Sequence, residues 1–168
     1  ALFDANARMV AQALIGTPGH INSLGAAAEN LIREIPVDDL NNGDVLITND
    51  PWMSAGHFFD ITILTPIFRN DRLIGFCGST IHHTDIGGYG IGAGARDIHE
   101  EGLWIPVLKL YERGELNATL AQIIETNVRT PKAIFGDLGA QVASGKTGAE
   151  RLNAMCDRYG IDDIDLLS

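Results

Sequence analysis

NDPWMSAGHFFDITILTPIFRNDRLIGFCGSTIHHTDIGG, residues 49–88, is the stretch that decides the fold. It opens on a breaker, Asn49-Asp50-Pro51, and passes through His57-Phe58-Phe59-Asp60 into a run of strand character. From 60 to 68, Asp60, Thr62, Leu64 and Pro66 alternate with Ile61, Ile63, Thr65 and Ile67, the period-two pattern of a strand. Pro66 points to an edge or an end position. Arg69-Asn70-Asp71-Arg72 is polar and fits a turn, and residues 73–81 make the return strand. Gly75 and Gly78 leave that strand's faces small, so something can approach closely. The run ends in His82-His83-Thr84-Asp85-Ile86-Gly87-Gly88.

Folding the two runs into a hairpin brings two histidine–aspartate clusters together. A turn centred between Asn70 and Asp71 sets Asp60 opposite Ile81; a turn centred on Asp71 sets it opposite His82. In either register His57 and Asp60 lie close to His82, His83 and Asp85, across a ladder spaced roughly 5 Å. A one-residue slip changes which histidine shares a face with Asp60. His82 and His83 are neighbours on a strand and point to opposite faces, so one binds directly and the other touches substrate or supports the site. Imidazole and carboxylate donors suit zinc, manganese, iron or nickel. Two histidines with one carboxylate leave coordination positions open, the mark of a catalytic site. Asp50 and Asp85 are candidates to orient the ligands. The bland alternative is a set of polar residues satisfied at a sheet end.

Composition bounds the rest. The chain has 168 residues, 45% hydrophobic and 20% charged, which suits one domain with a proper core. A formal net charge of −10 speaks against a nucleic-acid or anionic-membrane binder. No apolar run approaches the roughly 20 residues of a membrane span, and no signal peptide is visible. Two cysteines, Cys77 and Cys156, make neither a disulfide framework nor a zinc-finger pattern. The expectation is a cytoplasmic protein with reduced thiols. Both ends look cut, which suggests part of a larger protein.

Outward from the centre, Leu2-Phe3-Asp4 and Met9-Val10-Ala11 suggest a short hairpin turning near Asn6. Gly16-Thr17-Pro18-Gly19 reads as a breaker, with Ser23 capping a helix over 24–35 that Pro36 ends. A turn at 41–44 leads into a buried strand at 45–48. Residues 103–111 read as a strand with Pro106 inside it, and 112–115 as a turn. Asn117 caps a helix over 118–127. Thr130-Pro131 starts a long helix to Tyr159, broken near Gly145, with Ala140, Val142, Ala143, Leu152 and Met155 as its apolar stripe. Gly160 ends it, and residues 161–167 suggest another short element. The fold class is α+β: a mixed, hairpin-rich sheet in the first two thirds with helices packed on it, then a helical last third. It forms a single partial domain, with a sheet-rich metal-site region over 1–115 and a helical region over 116–168.

Other candidates carry less. The glycine-rich loop 87–94 matches no P-loop and lacks Gly-x-Gly-x-x-Gly between a strand and a helix, so it reads as a lid or a tight packing element. Glu100 and Glu101 can serve acid–base chemistry but read more simply as a solvated acidic turn. His99 reads as a surface residue. His20 can reach the site or merely cap a helix. Cys77 reads as core.

These motifs resemble a known family. Gly43-Asp44-Val45-Leu46-Ile47-Thr48-Asn49-Asp50-Pro51, His57-x-x-Asp60, His82-His83-Thr84-Asp85-Ile86-Gly87-Gly88 and Glu101-Gly102-Leu103-Trp104-Ile105-Pro106 are similar to the signature of the hydantoinase B/oxoprolinase family. So are Asn127-Val128-Arg129-Thr130-Pro131 and Gly136-Asp137-Leu138-x-Ala140-Gln141, and the likeness covers nearly the whole chain. It departs after His20, where Ile21-Asn22-Ser23-Leu24 stand in place of a common glycine, and at His99, where relatives often carry an aromatic residue. The resemblance implies a much longer α/β subunit that works with an A-type subunit, the one that binds ATP. It implies a divalent metal (zinc, manganese or iron) on His57, Asp60 and His82, with His83, Asp85 and Asp50 in catalytic support. The implied function is the metal-bearing B-type subunit of an ATP-dependent hydrolase of hydantoin, 5-oxoproline or a similar cyclic amide. Two alternatives stand beside it: a subunit of an ATP-dependent ketone carboxylase, and a non-catalytic assembly module that keeps the fold.

Overall fold

The computed structural model describes residues 1–14, 16–92 and 94–164, so the short element expected over 161–167 lies partly outside the described residues. Seven strands form one sheet: β1 (Leu2–Asp4), β2 (Met9–Ala11), β3 (Val45–Thr48), β4 (Asp60–Arg69), β5 (Arg72–His82), β6 (Leu108–Glu112) and β7 (Glu115–Leu116). Their order is β2-β1-β5-β4-β3-β6-β7, and every pairing is antiparallel, in place of the mixed sheet the sequence suggests. The helices are α1 (Pro18–Glu34), α2 (Ile98–Glu101), α3 (Ala118–Asn127) and α4 (Pro131–Tyr159). The fold is α+β.

The alternation along β3, β4 and β5 sorts the core into two layers. Leu46, Leu64 and Phe76 face one side, where Phe3 and Leu24, Ala27, Ala28 and Leu31 of α1 cover them. Val45, Ile47, Ile61 and Ile63 face the other, against Leu120 and Ile124 of α3 and Ile134, Leu138 and Val142 of α4. A third cluster extends this second layer, joining Ile67 and Ile74 to Leu152 and Cys156 of α4. Each fully buried side chain of this size stabilises the fold by about 1.5–3 kcal/mol.

The β4–β5 hairpin resolves the register. Asn70 and Asp71 have φ of 49° and 60°, the paired left-handed conformation of a tight two-residue turn. That turn alone would set Asp60 opposite Ile81. The pairing passes from Phe68↔Leu73 to Ile67↔Gly75, however, so Ile74 is an extra residue, a β-bulge. The one-residue shift sets Asp60 directly opposite His82. Pro66 lies within an interior strand, contrary to the edge or end position expected. The β3–β4 pairing stops at Leu46↔Leu64, so no β3 residue pairs with the proline.

Three further expectations change. Helix α1 begins at Pro18, six residues before the start expected from Ser23. Thr17 is its N-cap residue, and Pro18 brings a φ already suited to a first turn. Ser23 lies inside the helix, its hydroxyl donating to the His20 carbonyl at 3.3 Å. Strand β6 is only Leu108–Glu112. The segment before it is held instead by loop partners: Ile105 N–H donates to Asn49 Oδ1 at 2.7 Å, and Leu103 N–H to the Ile86 carbonyl at 2.8 Å. Helix α4 runs unbroken through Gly145, where a Cβ would lie 2.3 Å from Thr65 Oγ1. The glycine is the point of closest approach to β4, not a break. The buried stripe is Ile134, Leu138, Gln141, Val142, Gly145, Leu152 and Cys156; Ala140 and Ala143 are exposed and Met155 half-buried.

Candidate metal centre

Asp60 is the first residue of β4 and His82 the last of β5, paired across the open end of the hairpin on the α1 side of the sheet. Behind them on the same face, the Thr62 and Thr80 hydroxyls share a 2.8 Å hydrogen bond. His57 lies one turn before β4, where Asp60 N–H donates to the His57 carbonyl at 3.3 Å. Two anchors hold this loop, the buried Asn49 and the half-buried Glu101. Asn49 Nδ2 donates to the Phe58 carbonyl at 2.8 Å and the Leu103 carbonyl at 2.9 Å, and Glu101 Oε2 accepts from Phe58 N–H at 3.1 Å. The Phe58 ring is fully buried, which fixes the residue beside His57. Phe59 lies against His82 with ring centroids 5.5 Å apart and planes 15° from parallel.

The imidazoles converge on one carboxylate. His82 Nδ1 is 3.0 Å from Asp60 Oδ1, and His57 Nε2 is 3.1 Å from Asp60 Oδ2. Among the described residues, His57, Asp60 and His82 form a set whose donor atoms lie within 4.8 Å of one another. The Asp60 side chain is 2% exposed, whereas His57 is 39% and His82 49% exposed. The charged group is thus sunk in the protein while the imidazoles stay accessible from outside. Two donors bonded at about 2.1 Å to one ion stand about 3.0 Å apart at a right angle and about 3.4 Å apart at the tetrahedral angle. The observed nitrogen–oxygen distances fit that range, and the donor set fits a borderline divalent ion.

A third imidazole meets the same carboxylate. His20, in the first turn of α1, places Nε2 2.8 Å from Asp60 Oδ2. The early start of α1 puts it there, and the sequence left its role open.

The other candidates lie apart. His83 is fully buried on the α4 side of the sheet, where its Nε2 is 3.3 Å from Gln141 Oε1. The Gln141 amide nitrogen donates to the Ile61 and Ser79 carbonyls at 3.0 and 3.3 Å, so its oxygen accepts from His83. Burial pushes the His83 imidazole below its ordinary pKa, against the opposing pull of the Gln141 bond, and it is neutral at pH 7. Asp85 accepts from Gly87 N–H at 2.9 Å, Thr130 N–H at 3.0 Å, Arg129 Nη1 at 3.1 Å and the Arg129 amide. It ties the loop after β5 to the start of α4. Asp50 Oδ1 accepts from Trp52 N–H at 2.9 Å, and its Oδ2 from Trp104 Nε1 at 3.1 Å. Among the described residues neither Asp50 nor Asp85 hydrogen-bonds to the three convergent side chains. Cys77, expected in the core, is only half-buried at the margin of the third cluster, and burial pushes its thiol up.

Asn49 and Gln141 sit in motifs that carry the family resemblance, but no local pattern marks them as anchors. Glu101, weighed for acid–base work, instead holds the backbone next to His57.

Together these features describe an antiparallel sheet between two helical layers, with a histidine–aspartate cluster at the open end of its central hairpin. The chain belongs to the hydantoinase B/oxoprolinase family, whose profile matches residues 1–167. It is 36% identical to the B component of a putative D-/L-hydantoinase from a Pseudomonas species, covering 90% of this chain and 25% of that one. The crystal structure of the ATP-dependent caprolactamase from Pseudomonas jessenii superposes with a TM-score of 0.88 at 33% identity, over 99% of this chain and 29% of that one. A nucleotide-free acetone carboxylase structure shares the fold, with a TM-score of 0.83 at 22% identity over 94% of this chain and 21% of that one. The chain thus spans less than a third of the length of these relatives. Among the described residues no helix is long and apolar enough to cross a membrane.

Proposed function

We propose that this chain is the metal-bearing part of a B-type subunit in an ATP-dependent hydrolase of cyclic amides, acting on hydantoin, 5-oxoproline or a similar lactam. The observation that carries this reading is the convergence of His57 Nε2 and His82 Nδ1 on the buried Asp60 carboxylate. These three side chains would hold one zinc, manganese or iron ion. When bound, such an ion supplies a Lewis acid for a carbonyl oxygen, or lowers the pKa of water toward neutrality. The protein's part is to fix the donors. The paired strand ends set Asp60 and His82, Asn49 and Glu101 hold the loop of His57, and Phe59 shields one face of His82. Two neutral imidazoles and one carboxylate offset only one of the ion's two charges, which leaves it electrophilic.

An A-type partner subunit would bind ATP and phosphorylate the amide oxygen of the substrate, making its carbon open to attack by water, with phosphate leaving and the ring C–N bond breaking to give a carboxylate and an amine-side nitrogen that takes up the proton. The names of the hydantoinase and caprolactamase relatives support a cyclic-amide substrate. The likeness to acetone carboxylase rests on fold alone. Two free cysteines suit the cytoplasm, where ATP is at hand.

The test is co-purification of the full-length subunit with its A-type partner, followed by assays of ATP turnover. Metal-dependent turnover with hydantoins, 5-oxoproline or lactams is the expected result. Turnover only with ketones and bicarbonate would make the protein a carboxylase subunit. Metal-free protein with no ATP-coupled activity would make it an assembly module.

A further inference from the structure

We propose that His20 is a positioning residue of the metal centre, coupling helix α1 to the ligating carboxylate; this rests on the metal reading above. His20 Nε2 is 2.8 Å from Asp60 Oδ2, the shortest of the three imidazole contacts to that carboxylate. It is not a member of the mutually close donor set of His57, Asp60 and His82. Its geometry is therefore that of a group bonded to a ligand, not of a ligand.

The chemistry requires such a group. Asp60 is almost wholly withdrawn from water, and a buried carboxylate needs its lone pairs satisfied. Oδ2 has room for a metal and for one N–H donor. His20 supplies the donor from an element packed on the sheet by Leu24, Ala27, Ala28 and Leu31. It arrives from above the sheet face, whereas His57 and His82 come from the chain segments that flank the hairpin's open end. A carboxylate held in this way keeps one rotamer, and loss of such supporting bonds typically costs metal affinity about 10–100-fold. Imidazole Nε2 is mimicked by the amide nitrogen of glutamine, so His20→Gln can keep the bond while His20→Ala cannot.

The contact also explains a sequence feature. Thr17-Pro18 starts α1 early enough for His20 to fall in its first turn. A helix begun at Ser23 would leave His20 in the preceding loop.

The experiment uses the full-length subunit in complex with its partner. Zinc affinity is measured by chelator competition for the wild type, His20→Ala, His20→Gln and His57→Ala, with thermal melts of the chelated proteins alongside. The expected result is one bound zinc with affinity weakened about 10–100-fold in His20→Ala, substantially restored in His20→Gln, and no stoichiometric zinc in His57→Ala. Chelated His20→Ala should melt close to the chelated wild type. Unchanged zinc affinity in His20→Ala overturns the inference and leaves the metal reading intact. So does an equal loss in His20→Ala and His20→Gln, or a lowered melt of chelated His20→Ala that accounts for the loss. Loss of zinc as complete as in His57→Ala makes His20 a ligand and likewise overturns it. A wild type without zinc overturns both.

Discussion

His82 and His83 are adjacent in sequence and share almost nothing else. His82 is half exposed on the α1 side of the sheet, beside His57 and His20 around one buried carboxylate. His83 is fully buried on the α4 side, bonded to Gln141 and held neutral by its surroundings. The period of two divides the pair. One face of the hairpin's end carries a convergent, solvent-reachable donor set, and the other carries a closed polar link between sheet and helix. On the proposed function, chemistry belongs to the first face and cohesion to the second.

Substitutions on the two faces should therefore separate activity from stability. The largest effect is expected on the open face. His57→Ala, Asp60→Ala or His82→Ala should lower the metal-dependent turnover of the assembled enzyme by on the order of 10³-fold or more, since a bound ion contributes several kcal/mol to the transition state. Turnover near wild type in all three would remove the functional half of the contrast.

On the closed face, Gln141→Leu strands the His83 N–H and takes a second hydrogen-bond partner from the Ile61 and Ser79 carbonyls. Each buried unsatisfied group costs about 1–3 kcal/mol. Chemical denaturation should show a loss of a few kcal/mol, with the metal content unchanged. A variant that keeps its stability but loses metal would invert the assignment of the two faces.

Asp85 sharpens the same contrast through pH. Burial raises its carboxyl pKa, but the amides of Gly87, Arg129 and Thr130 and the Arg129 guanidinium outweigh that and hold it below the ordinary carboxylate value. Its folded pKa is depressed. Its contribution is therefore fully present above the unfolded pKa, near 3.9, and fades as pH falls through the folded value. Asp85→Asn should lower stability at pH 7 by about 1–3 kcal/mol and flatten the acid limb of the stability profile. An acid limb as steep as the wild type's would show that other carboxylates set it.

The smallest effect belongs to Asn117, whose Oδ1 accepts from Leu120 N–H at 3.0 Å at the start of α3. Asn117→Ala should cost about 1 kcal/mol in a thermal melt and leave the metal centre alone.

Much of this contrast is legible in the sequence, and the gaps have physical causes. The alternation over 60–68 and the polar turn at 69–72 locate the hairpin, because those signals are local. The register is not local: it depends on a bulge at Ile74 that no residue pattern announces. Asn117 and Gly160 mark helix ends because capping is short-range. The start of α1 is misread because Pro-Gly serves equally as a breaker and as a first turn, and His20 stays undecided for that reason. Gln141 and Glu101 are recognisable as motif members, but their bonds to Ile61 and Phe58 span long sequence separations and exist only once the layers pack. Asp85 and Asp50 look like outer supports of the metal centre in the sequence. In the fold each is occupied by amides and side chains of its own neighbourhood.

The most direct test of the metal centre is elemental analysis of the purified full-length subunit, with His57, Asp60 and His82 each replaced by alanine. About one zinc, manganese or iron ion per wild-type subunit, lost in each folded variant while His83→Ala retains it, is the predicted result. Full metal content in all three folded variants would contradict it.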